Sequence, residues 1–343
     1  MKLKNVFLGI FASTLLLASC SNDDAVEKDV PLGTYDNGVL VLNEGNFGTP
    51  NASVTYISND FNVLTQNIFG IENNDKKLGD VAQSLSFSED KAFIVMNNSN
   101  VVEVVNRYTF KSLGTITENL KNPRYSVVLN GKLYVTNAST KAVTVYDAKT
   151  FTYLQTITIG KTTEKIITAN GKLYITNGAY GSGNTVTVVN PQSNNAMSII
   201  TVENGVNSIE EKNGSVYVLC GNTTKSMLFK INTTADTATS IETTTLKKAL
   251  NMDIDGDKIY YTKGTGIYAM GLNATTFSET PLFSVADNSW STLYGFSVID
   301  GKIYSADANG FTAAGIVKIF SATGTELKTV SVGMGPNSFY ANN

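Results

Sequence analysis

The side chains able to do chemistry are few, and the first exclusion is complete. The 343 residues contain no histidine, which removes Ser-His-Asp triads, imidazole proton shuttles and His-ligated metals together. Glu44 and Glu164 have the chemistry for an acid–base pair. Nothing in the chain sets their separation, however, so it reads as a non-enzyme with no cofactor and no metal site. Asp253-Ile254-Asp255-Gly256-Asp257 fails as a helix-flanked calcium loop, which wants Gly at its sixth position and Glu at its twelfth. Lys258 and Gly264 stand in those places. Gly178-Ala179-Tyr180-Gly181-Ser182-Gly183 opens no helix and is a loop, not a phosphate cradle.

One set of residues does share a spacing. Counting eight residues back from Lys132, and from the matching position of each related segment, gives Gln83, Arg124, Glu164, Asn207, Leu250 and Tyr294; Asn337 holds the same place near the C-terminus. All but Leu250 can hydrogen-bond. Arranged in a circle, they would suit a ligand rich in amides and hydroxyls, or simply be hydrated. The next few residues of each segment are mainly apolar and are expected to pack between blades. Phe47, Tyr180, Trp290, Tyr294 and Phe311 fall in the neighbouring loops. Such an aromatic rim beside convergent polar groups fits a large, flat, partly polar small molecule. Trp290 is the sole tryptophan and lies in the polar loop Asp287–Ser291. Packing under that loop is its default expectation, and a ligand platform is the alternative.

The elements that would form the circle are repeats. Gly131-Lys132-Leu133-Tyr134-Val135-Thr136-Asn137, followed by Ala142–Asp147, returns as Gly171–Asn177 followed by Thr185–Asn190. Weaker copies centre on Phe93, Tyr217, Tyr260 and Tyr304, and a divergent one on Leu40. After a longer first step the period lies in the low forties, the length of a four-stranded propeller blade. Seven copies predict an all-β, seven-bladed β-propeller over residues 38–343, with no convincing helix. Asn130-Gly131, Asn170-Gly171, Asn213-Gly214, Asp255-Gly256 and Asp300-Gly301 precede the repeated strand and read as hairpin turns, whose central residues favour positive φ. The recurrent aromatics belong to the core. The first copy has no inner strand before it, whereas Gly335–Tyr340 follows the last, so the C-terminal strand is expected to complete the first blade and hide two sheet edges.

Ahead of the repeats, Lys2 and Lys4 precede the thirteen-residue apolar run Val6–Ala18, which ends in Leu17-Ala18-Ser19-Cys20. This describes a secretory signal too short to span a membrane stably, and its ending resembles a bacterial lipoprotein signal. The resemblance implies cleavage after residue 19 and lipid on Cys20, whose acyl chains would hold the domain at a membrane. Residues 20–37 then form an acidic tether with Asp23, Asp24, Glu27 and Asp29. Such tethers resemble those of surface-exposed lipoproteins in the Bacteroides and Flavobacterium group; a periplasm-facing anchor is the alternative. The chain holds 26 basic and 29 acidic residues, and Arg107 and Arg124 are its arginines, so it lacks the dense basic face that nucleic acid requires. Cys220, left without an intrachain partner, reads as a small buried hydrophobe.

Tyr134-Val135-Thr136-Asn137 is the signature of the YVTN-repeat, or surface-layer-type, propellers, which the chain resembles throughout its mature length. Asn43-Glu44-Gly45-Asn46-Phe47-Gly48 with Lys77-Leu78-Gly79-Asp80-Val81-Ala82 resembles a narrower set, the propeller lipoproteins of Bacteroidetes. Its best understood members capture cobalamin at the cell surface and deliver it to an outer-membrane transporter. The resemblance therefore implies a lipid-anchored, outer-membrane protein with a corrinoid ligand and a transporter partner. The competing reading is a propeller that holds a protein or a glycan in a surface complex; a lyase or hydrolase on the same scaffold is a third.

Overall fold

A computed structural model of the chain describes residues 31–343, apart from 179–181, 194 and 288. Its strands form seven four-stranded antiparallel sheets. Blades 2 to 7 begin with the inner strands Ala82–Ser88, Pro123–Leu129, Ile166–Ala169, Val206–Lys212, Leu250–Asp255 and Gly295–Ile299. Each inner strand packs beside those of the adjacent blades, and together they surround one axial channel. Blade 1 is completed from the far end of the chain. Its inner strand is Pro336–Asn342, paired antiparallel with Gly38–Asn43 from Gly38↔Asn342 through Val41↔Phe339.

The apolar residues form seven clusters, one at each junction between adjacent blades. The residue at the repeat position enters the cluster on the forward side of its blade every time: Leu40, Phe93, Tyr134, Tyr174, Tyr217, Tyr260 and Tyr304. Alternation along a strand turns one set of side chains toward the next blade and the other toward the previous one. Period-two apolar strands buried on both faces are the result.

The repeat's final residue has its own task. Asn43, Asn137 and Asn177 are buried at the end of the second strand of blades 1, 3 and 4. The Asn137 amide donates to Val135 O and Thr144 Oγ1, and its carbonyl accepts from Lys121 N. Thus Asn ties the strand end to the loop arriving from the previous blade, which a hydrophobe of similar size could not do.

The hairpin turns have the expected geometry at Asn130-Gly131, Asn170-Gly171, Asn213-Gly214 and Asp300-Gly301, where both residues have positive φ. Blade 6 differs: only Gly256 is left-handed, and Asp255 already pairs with Lys258. A helix is also present where none was expected. Ile68–Glu72 is capped by Asn67 and buries Ile68 and Phe69 against the junction of blades 1 and 2. This insertion accounts for the longer first repeat step. Before the first strand, Tyr35 is buried in the same cluster and its hydroxyl donates to Glu72 at 2.8 Å. Cys220 is buried and unpaired in the cluster between blades 4 and 5, and burial pushes its thiol up to about 12. Cys20 and the signal and tether segments up to residue 30 lie outside the described residues.

Candidate functional site

The channel is a cavity of about 690 Å³, within the range of small-molecule sites. Six of the seven equally spaced positions line it: Gln83, Arg124, Glu164, Asn207, Tyr294 and Asn337. The seventh does not. Leu250 is exposed outside the channel wall, and Asn251 takes its place. The inner strands of blades 1, 2, 3 and 5 carry a register shift at this level, and in blade 6 the shift begins one residue nearer the hairpin. Regular pairing there stops at Asp253↔Tyr260, and Asn251 adopts φ +53°. A one-residue shift of that kind exchanges the two faces of a strand.

The ring residues are largely committed to one another, blade to blade. Arg124 donates to Glu164 through Nε at 2.9 and 3.0 Å and through Nη2 at 2.6 Å, while its Nη1 donates to Gln83 Oε1. One guanidinium therefore joins blades 2, 3 and 4. Asn207 Nδ2 donates to Ala249 O and Asn251 Nδ2 to Leu293 O, both at 3.0 Å, each reaching the next blade. Asn337 Nδ2 contacts Glu44 Oε1 at 2.8 Å and Ala82 O at 3.0 Å; the Tyr294 hydroxyl donates to Glu44 Oε2 at 2.9 Å.

Glu44 is thus the hinge of the ring between blades 7 and 1, and its loop explains how it gets there. Its N–H donates to Gly335 O, and its carbonyl accepts from Ala82 N. Gly45 (φ +78°) turns the chain where an added Cβ would fall 2.7 Å from Ala52 N, so a larger residue is excluded. Gly48 N donates to the Asp80 carboxylate. The two segments singled out for their family resemblance therefore pack together and deliver Glu44 to the mouth. Burial raises the Glu44 carboxyl above its ordinary range, against the opposing pull of Asn337, Tyr294 and the Arg124 charge. Burial and the neighbouring Glu44 likewise hold the Tyr294 phenol neutral well above neutral pH.

Deeper in the channel lie residues the sequence reading placed between blades. Lys165, Glu210, Asp253, Tyr125 and Tyr340 all line it. Burial, with Asp253 close by and Lys165 opposing, lifts Glu210 from the ordinary 4.5 to about 8. Asp253 is raised too, chiefly by burial, although it accepts from Val298 N at 2.7 Å. A raised carboxyl favours the folded protein while it is protonated. The stabilisation is whole below about pH 4.5 and fades as pH climbs toward 8. Glu210→Gln is therefore expected to leave stability unchanged in acid. At about pH 8.5 it should raise stability, read as a thermal midpoint higher by several degrees. Midpoints followed by circular dichroism at both pH values check this; an equal gain at the two would exclude a titrating Glu210 as the cause.

The aromatic candidates divide. Trp290 is not packed beneath its loop: it is 77% exposed and stacks on Phe311 with ring centroids 6.2 Å apart. Phe311 meets Tyr294 edge-on at 5.1 Å, which connects the exposed indole to the ring through Glu44. Phe47 is 80% exposed, and its neighbour Asn46 donates to Phe311 O at 2.8 Å. Phe47, Trp290 and Phe311 thus flank the mouth rather than line the channel, and Tyr180 lies outside the described residues.

The fold is similar to that of several solved proteins. A quinonprotein alcohol dehydrogenase-like protein from Bacteroides thetaiotaomicron matches with TM-score 0.73 over 90% of this chain and 79% of that one, at 15% identity. Apo AztD from Citrobacter koseri matches with TM-score 0.55 over 88% and 96%, at 12% identity. BamB from Moraxella catarrhalis gives TM-score 0.55 over 91% and 88%, also at 12% identity. At such identities the likeness is one of architecture. No curated protein matches the sequence. Residues 37–299 match the family described as a domain of unknown function, DUF5074, and the chain belongs to that family.

Proposed function

We propose that the protein captures a flat, partly polar small molecule at the mouth of its channel and catalyses no reaction on it. The observation that carries this reading is the pairing of exposed aromatic faces, Trp290 on Phe311 with Phe47 nearby, with a ring of amide, carboxylate and guanidinium groups. Stacking supplies affinity for a planar body, and the ring supplies orientation for its polar edge. A ring whose members are already hydrogen-bonded is preorganised, which keeps the ordering cost of binding low.

A corrinoid such as cobalamin is the specific candidate, suggested by the Glu44 and Asp80 segments. A molecule of that size would lie across the mouth rather than enter the channel. Lipid on Cys20 would hold the protein at the outer face of the outer membrane, and an outer-membrane transporter would receive the cargo. Titrating purified protein with cyanocobalamin is expected to give saturable binding at micromolar protein or below. Trp290→Ala should weaken it about tenfold, the equivalent of about 1.4 kcal/mol of lost stacking. Absence of any heat or spectral change at micromolar protein removes the corrinoid. Recovery of a surface complex with the channel blocked would favour a protein- or glycan-holding role instead.

A further inference from the structure

The loop that presents Trp290 is held from one buried point. Asp307 ends the second strand of blade 7 and is 7% exposed. Its carboxylate accepts from Ser289 Oγ at 2.7 Å, Ser291 Oγ at 3.1 Å, Thr292 Oγ1 at 3.2 Å and Asn309 N at 2.8 Å. Ser291 Oγ also accepts the N–H of Gly310 at 2.9 Å. One side chain therefore fastens the residues on both sides of Trp290 and the turn that carries Phe311.

Blades 1, 3 and 4 place Asn43, Asn137 and Asn177 at this point. Asn both donates and accepts, whereas an ionised Asp only accepts. The exchange matches a loop whose three hydroxyls, together with the Asn309 N–H, all donate to this one carboxylate, and charge-assisted bonds of this kind are the stronger ones. The same loop leaves its indole in water. A tryptophan fixed on both sides yet unburied forgoes most of its own contribution to folding, so the fixing has another use.

We propose that Asp307 is a positioning residue for ligand capture, acting through Trp290 by holding the indole at the channel mouth as a stacking platform for the flat face of the captured molecule. The assignment rests on the capture reading above. It adds a residue that touches no ligand and yet sets affinity, because a platform already in place does not have to be ordered on binding.

The chain has a single tryptophan, so its emission reports on this platform alone. In the full-length protein, Asp307→Ala and the milder double variant Ser289→Ala/Ser291→Ala are expected to lower Trp290 fluorescence anisotropy and to alter its quenching by acrylamide. Both should weaken cyanocobalamin binding by about tenfold, or about 1.4 kcal/mol. Combining Asp307→Ala with Trp290→Ala should cost no more affinity than Trp290→Ala alone, because both act through one side chain. Unchanged anisotropy and quenching in both loop variants would overturn the proposal, as would affinity losses that simply add. If the parent protein fails to bind cyanocobalamin, the corrinoid reading falls, and the anisotropy and quenching still decide whether Asp307 holds the indole.

Discussion

Deleting Gly335–Asn343 is expected to abolish the cooperative thermal transition of the protein. The segment contains the whole inner strand of blade 1, so its loss unpairs Gly38–Asn43 along one side. It also removes Phe339 from the core between blades 7 and 1. The Arg107 clamp goes with it: Nε donates to Asn342 Oδ1 at 2.7 Å, and Asn342 Nδ2 donates to Tyr35 O and Arg107 O at 2.6 and 2.9 Å. The Asn337 link to Glu44 is lost as well. Each lost buried bond costs about 1–3 kcal/mol and the core residue several more. Their sum rivals the 5–15 kcal/mol that typically separates a folded domain from its unfolded chain. Differential scanning calorimetry checks this. A truncated protein that melts as one transition within about 3 °C of the intact chain would overturn the closure.

The second large effect is at Arg124. Glu164 is only 12% exposed at its side chain, and its carboxylate is gripped by three guanidinium contacts. Arg124→Leu leaves that charge in the channel wall without its partner, a loss of about 3–5 kcal/mol when one half of a buried pair is removed. The double variant Arg124→Leu/Glu164→Leu should recover most of the loss, because two neutral side chains carry no unpaired charge. Urea unfolding of both variants at constant pH and salt measures the difference. A double variant as unstable as the sum of the single ones would show that the pair is not what Arg124 contributes.

The architecture was legible because it is periodic. The Tyr134 position recurs at a blade's length, and each copy lands in its own junction core. The ring at the channel mouth was legible for the same reason, down to six of seven members. It failed at Leu250 because a bulge one residue out of step leaves no mark on apolar spacing. Glu210, Asp253 and Lys165 were missed on different grounds. Glu210 and Asp253 stand within inner strands and Lys165 just before one, and on a strand covered on both faces alternation does not say which face meets the channel. The Trp290 loop is fastened to Asp307, fifteen or more residues away, by hydroxyl contacts that no repeat encodes.

The pairing of Gly38 with Asn342 also has a consequence in time. The two are about three hundred residues apart in sequence, so the first blade cannot be finished until Pro336–Asn342 has been synthesised. Local hairpins form quickly, but joining distant segments must wait for the loop between them to close. Six blades can therefore stand assembled while the seventh still lacks a strand, its bare edge open to any extended peptide that arrives first. That exposure lasts until the seven residues of Pro336–Asn342 pair with Gly38–Asn43.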